Sequence, residues 1–285
     1  MNPTFYDRSY AFEGGLRLEL GRRTLIMGIL NVTPDSFSDG GRYDAVEAAV
    51  ERARQLEAEG ADIIDIGGES TRPGHDPVSL EEELRRVVPA IRAIREAVRL
   101  PISIDTYKAE TARQALEAGA HIVNDVWGFK RDHRIAAVSA EYGCPVILTH
   151  NRESRDYADF VPDVIEDLLA SVARAKAAGV SDENIWLDPG IGFAKDYDEN
   201  LELMGRLDEI VRLGYPVLLG TSRKTFIRRT LGVEASDALE GTAATQALGI
   251  AQGCQIIRVH DVKQMKRVAA MTDAIVYKSS ARGVE

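Results

Sequence analysis

The chain has 285 residues, 45% hydrophobic and 28% charged, with Gly 24 and Pro 10, a balance that excludes a low-complexity or disordered polymer. A formal net charge of −10, from 45 acidic and 35 basic residues, argues against a broad nucleic-acid footprint, so any anion must be gripped locally. Cys144 and Cys254 lie far apart without zinc-site spacing, and residues 1–25 hold neither a signal-peptide core nor a membrane span; the expectation is a cytoplasmic protein with two buried thiols.

In chain order, residues 4–21 place two apolar-bearing segments around Gly14-Gly15, the pattern of a β-hairpin. A strand follows at 25–30, then an amphipathic helix with Val46, Ala49, Val50, Ala53 and Leu56 on one face and Gly60 as its left-handed terminator. A second strand at 62–66 precedes a helix opened by the capping-box pair Ser79 and Glu82, in which Pro89 should produce a kink. Further buried-strand runs fall at 102–105, 121–124, 146–149, 185–187, 216–219 and 256–259. The small residues of 238–251 permit close helix packing at an interface or, more simply, against the barrel, and Asp261 with Gln264 repeats the capping pattern before a last helix. Eight strands alternating with helices, uninterrupted by a linker, imply a (β/α)₈ TIM barrel. It would be one domain over 1–285, with the hairpin closing its N-terminal end.

Such barrels build their sites on the loops after the strands' C-terminal ends. Here those positions carry Asn31, the 67–72 segment, Asp105, Asn124-Asp125, His150-Asn151, Asp188, Ser222-Arg223-Lys224, and Arg258 with His260. Any one of them has a plain alternative: Asp105 could cap a helix, Arg258 could pair with Asp261 or another carboxylate, and a lone histidine often satisfies a carbonyl. Together they are harder to dismiss. Carboxylates and a carboxamide aimed into a barrel mouth call for N–H donors, such as those of an amino-pyrimidinone edge, while Arg72, Lys224, Arg258 and His260 suit a di-anion or a pyrophosphate.

Two long segments make the pattern specific. MGILNVTPDSFSDGG (27–41) and GADIIDIGGESTRPG (60–74) resemble the two signatures of the dihydropteroate synthase family. Ile104-Asp105-Thr106, Val123-Asn124-Asp125, LDPGIGF (187–193), GTSRK (220–224) and RVHD (258–261) follow in family order, so the resemblance spans about 24–270. It implies an enzyme that joins a dihydropterin pyrophosphate to p-aminobenzoate. It further implies that Asp105, Asn124, Asp188 and Lys224 hold the pterin, with Phe193 and Gly220 in the same pocket. Arg258, His260 and Asn31, with Thr71 and Arg72, would handle the pyrophosphate, and Asn31 and Asp35 a magnesium ion. Asp35, Lys224, Arg258 and His260 would be the catalytic set. Phe37 and Pro73 would flank the aminobenzoate ring, Thr71 and Arg72 would complete that site, and Ser222 and Thr225 would receive the carboxylate. A homodimer is the family expectation. Thr149 stands where many members carry methionine, which alters the wall beside the pterin without removing a charge. A pterin-binding methyltransferase that passes a folate methyl group to a corrinoid protein is the alternative on the same fold; it needs no pyrophosphate grip.

Overall fold

The structure, a computed structural model, describes residues 7–33, 42–69 and 77–277. A hairpin, β1 (Arg8–Ala11) and β2 (Arg17–Leu20), comes first. The barrel strands are β3 (Leu25–Asn31), β4 (Ile63–Gly67), β5 (Ile102–Asp105), β6 (Ile122–Asp125), β7 (Val146–Thr149), β8 (Ile185–Asp188), β9 (Leu218–Leu219) and β10 (Ile256–Val259). Between and after them lie α1 (Arg42–Glu59), α2 (Leu80–Ala97), α3 (Ala109–Glu117), α4 (Arg134–Tyr142) and α5 (Phe160–Ala177). The remaining helices are α6 (Tyr197–Gly205), α7 (Leu207–Val211), α8 (Thr225–Leu231), α9 (Leu239–Ala251) and α10 (Val262–Tyr277).

All eight strands run parallel in the order β8-β7-β6-β5-β4-β3-β10-β9, and a parallel bridge between Leu187 and Val217 joins the two ends into a barrel. Side-chain alternation divides each strand. Ile26, Leu30, Ile64, Ile66, Ile104, Val123, Leu148, Leu187 and Val259 face the helices in one large core. Leu25, Met27, Ile63, Ile122, Ile147, Trp186, Leu218 and Ile256 fill the lower interior, where Tyr10, Leu18 and Leu20 of the hairpin pack beneath them. The apolar plug occupies the bottom, so the polar residues at the strands' upper ends sit above a sealed floor.

The hairpin therefore closes the barrel as expected, with its turn at Gly14 (φ 74°) and Gly15 (φ 77°); residues 4–6 of the expected span lie outside the described residues. Pro89 lies inside α2, which is one helix to Ala97. Two local expectations need correction. Ser79 accepts from the Glu82 amide at 3.2 Å, but the Glu82 carboxylate takes Arg85 and Arg86, so only half the capping box forms. The seventh barrel strand, expected over 216–219, is reduced to Leu218–Leu219. No helix among the described residues is long and apolar enough to cross a membrane.

Candidate active site

The upper interior layer follows from the same alternation: with Ile63 inside the barrel, Asp65 and Gly67 are inside too, and so are Asn31, Asp105, Asn124, Thr149, Asp188 and Arg258. Most of these line a cavity of about 520 Å³ at the barrel mouth, together with Phe193, Gly220, Ser222, Lys224, Thr225 and His260. Asp35 and Phe37 on the first loop, and Thr71, Arg72 and Pro73 on the second, lie outside the described residues. Of the other candidates, residues 67–69, Asp125, His150 and Asn151 do not line the cavity: Asp125 accepts from the Trp127 and Phe129 amides at 2.8 Å, and His150 lies between Asp167 and Lys195. The rest are at this one mouth.

Asp105 is not a helix cap; the first amide of α3 takes the Asp132 carboxylate at 3.0 Å instead. Its Oδ2 accepts from Arg258 Nη2 at 2.9 Å, while Oδ1 is buried without a hydrogen-bond partner. Burial pushes the Asp105 carboxyl up to about 7, Arg258 opposing the rise and Asp65 adding to it. Arg258 Nε also donates to Asp65 Oδ2 at 2.6 Å, and the two carboxylates outweigh burial to raise the guanidinium above its ordinary value. The ion pair with "another carboxylate" is thus real for Arg258, though not with Asp261, which Arg223 holds at 2.7 Å.

Across the mouth, burial raises Asp188, with Lys224 opposing, and Asp188 Oδ1 accepts from the Gly190 amide at 2.7 Å. Lys224 Nζ donates to the Ile191 carbonyl and stands 4.7 Å from the Phe193 ring centroid. Burial lowers it to about 8, with Asp188 opposing. Gly220 lies at this corner, where a Cβ would make ordinary contacts at 3.8 Å with Asp188 Oδ2 and 3.9 Å with Lys224 Nζ. On the β10 side, Ser222 Oγ and His260 Nδ1 are 2.9 Å apart. Asn31 and Thr149 complete the wall.

Sequence reasoning missed Asp65, which is fully buried and also accepts from Asn124 Nδ2 at 3.2 Å. The signal was present in the alternation of Ile63, Asp65 and Gly67 against Ile64 and Ile66. Lys195 was missed as well, because it lies in a loop whose shape no periodicity foretells.

The model of the family described as "Pterin binding enzyme" matches residues 27–260. The dihydropteroate synthase of Clostridium beijerinckii is 53% identical over 264 residues, 92% of this chain and 98% of its own, and that of Bacillus subtilis is 54% identical over 92% of each chain. The chain belongs to the dihydropteroate synthase family. Solved dihydropteroate synthases are superposable on it. One is from Clostridium difficile in the presence of pteroic acid (TM-score 0.88, 50% identity, covering 90% of this chain and 97% of its own). Another is from Xanthomonas albilineans with 4-aminobenzoic acid (TM-score 0.89, 39% identity, covering 95% and 98%). Of the two activities the motifs admitted, these similarities are all to the synthase. The family match runs from β3 to the residue after β10, so it takes in the whole mouth and leaves the closing hairpin outside.

Proposed function

We propose a division of labour at the barrel mouth for the family's reaction, in which the enzyme condenses 6-hydroxymethyl-7,8-dihydropterin pyrophosphate with p-aminobenzoate to give 7,8-dihydropteroate and pyrophosphate. The observation that carries it is Asp105: a buried carboxylate facing the cavity with an oxygen that nothing in the protein satisfies. Such an atom costs about 1–3 kcal/mol until a donor reaches it. A pterin presents an amino group and ring N–H groups along one edge, which Asp105, Asn124 and Asp188 can accept from or orient. Lys224 donates to the ring carbonyl and nitrogen, with Phe193 and Gly220 shaping the pocket around them.

Arg258, His260 and Asn31, with Thr71 and Arg72, receive the pyrophosphate. When the pterin takes Asp105, Arg258 keeps Asp65 as its anchor and has its second nitrogen for a phosphate oxygen. The methylene C–O bond breaks as pyrophosphate leaves, and the aminobenzoate nitrogen forms the C–N bond and loses a proton. No protein nucleophile is required. Stabilising charge on the departing oxygen is worth several kcal/mol of barrier in sites of this kind. Phe37, Pro73, Thr71, Arg72, Ser222 and Thr225 form the aminobenzoate side.

No group of three or more His, Cys, Asp or Glu that could hold a metal occurs among the described residues, and Asn31 offers one hard oxygen at the mouth. That donor set fits magnesium brought largely by its pyrophosphate oxygens and waters, with Asn31 and Asp35 as the protein ligands. Magnesium bound there would supply neutralisation of pyrophosphate charge. The chain works as one domain over 1–285, in the cytoplasm. It works as a homodimer through the exposed Leu248, Met271 and Ile275 of α9 and α10, and sedimentation at twice the 31.3 kDa chain mass would support this, at the chain mass refute it.

Calorimetry on Arg258→Ala tests the assignment of the two halves. Affinity for the pyrophosphate-bearing pterin should fall at least tenfold, and for the pyrophosphate-free pterin severalfold less. Equal losses would refute the role of Arg258.

A further inference from the structure

The loop after β8, residues 189–196, carries two groups of the pterin side of the mouth: the Phe193 ring and the Ile191 carbonyl that takes Lys224. Gly190, Gly192 and Ala194 all have positive φ, so this backbone has no regular structure to hold its shape. Tyr157 donates to the Ala194 carbonyl at 2.7 Å, and the Gly192 amide donates to Asn200 at 2.6 Å. The Gly190 amide is also held by Asp188 Oδ1, and the Phe193 amide donates to the Gly190 carbonyl at 3.0 Å. A side chain of the loop itself adds more.

Lys195 folds back beneath its own backbone, only 9% exposed, and donates to Gly190 O at 2.9 Å, Phe193 O at 3.0 Å and His150 Nδ1 at 2.7 Å. His150, the residue after β7, is buried, and its Nε2 lies 3.0 Å from Asp167 Oδ2 on α5. That carboxylate calls for the proton on Nε2, which leaves Nδ1 a bare acceptor. Burial, then the Lys195 charge, pushes the imidazole down to about 3, so the ring stays neutral. Three acceptors therefore meet three N–H groups, and only the ammonium fills all of them. Burial pulls Lys195 well below its ordinary range, with Asp188 opposing, while its three acceptors within 3.0 Å favour the ammonium. A methionine of similar length would fill the space without the desolvation of a buried charge. What the ammonium adds is a fixed relation between two loop carbonyls and the neighbouring strand end.

We propose that Lys195, backed by His150 and Asp167, is a positioning residue for the pterin half of the reaction: it locks the 189–196 loop so that the Ile191 carbonyl and Phe193 ring hold Lys224 beside Asp188. Its three N–H groups are committed, so it contributes placement and touches no reacting atom. The inference rests on the reading that the pterin lies against Asp188 and Lys224; pterin binding by the unaltered enzyme tests that reading by itself.

The test compares Lys195→Met and His150→Gln with the unaltered enzyme, with thermal unfolding and circular dichroism alongside the kinetics. For folded variants, KM for the pterin pyrophosphate and Kd for 6-hydroxymethylpterin should each rise at least tenfold, with KM for p-aminobenzoate within twofold. Changes within twofold throughout, or equal rises for both substrates, would overturn the proposal. If neither variant folds, Asp167→Asn decides, since its carboxylate is partly exposed: a threefold or greater loss of pterin affinity alone supports the relay, and no change overturns it.

Discussion

At the residue scale the chemistry turns on carboxylates kept out of water. Asp105 has an ordinary value of 3.8 and stands at about 7 in the folded protein, chiefly through burial, so the folded form holds a proton that the unfolded chain has released between those values. Its stabilising contribution is complete below the ordinary value and is lost as pH rises through about 7. In the role proposed for Asp105, pterin binding would run the other way, because the ligand's N–H groups would need the ionised carboxylate. Affinity for 6-hydroxymethylpterin should be several-fold higher at pH 7.5 than at pH 6, with a proton released on binding at pH 6. Calorimetry in two buffers of different ionisation heat measures both. Lys224, lowered to about 8, is still largely charged over that window. Affinity that is flat or falls between these pH values would contradict the role given to Asp105.

Most of these residues were legible before any coordinates, because each stands at the end of a recognisable apolar run and within a signature segment. Asp65 was not, since an aspartate flanked by isoleucines reads as part of the strand until the inward register is known. Arg258 was legible as a site residue, but its partners were not. Asp261 is three residues away in sequence, whereas Asp65 and Asp105 reach it only through barrel closure.

At the scale of elements, the division between a sealed bottom and a reactive top rests on the hairpin. Tyr10 OH donates to Glu183 O at 2.6 Å and accepts from the indole N–H of the fully buried Trp186 at 2.8 Å. Tyr10→Phe would strand that N–H, costing about 1–3 kcal/mol, while leaving the mouth untouched. The expected outcome is a melting temperature lower by several degrees with kcat and KM within twofold. A catalytic loss without a stability loss would contradict the separation. The hairpin was readable from Gly14-Gly15, but β9 was overextended: a strand's length depends on the partners it finds, and only Leu218 and Leu219 pair with β10. Pro89 is accommodated inside α2, where one missing amide is tolerated because Val87, Ala90, Ile91 and Ile94 bury the same helix against the barrel.

At the scale of the whole molecule, a closed parallel sheet brings residues from positions 31 to 260 to one mouth, where acids and bases interleave: Arg258 pairs with Asp65 and Asp105, and Lys224 offsets the buried Asp188. Both kinds of group are thus within reach of a substrate with an N–H-rich head and an anionic tail. The most direct measurement is pyrophosphate release by the purified protein from dihydropterin pyrophosphate and magnesium, with and without p-aminobenzoate. Release that depends on p-aminobenzoate, with dihydropteroate formed in equal amount, is the predicted result; no release, or release indifferent to p-aminobenzoate, would contradict the account.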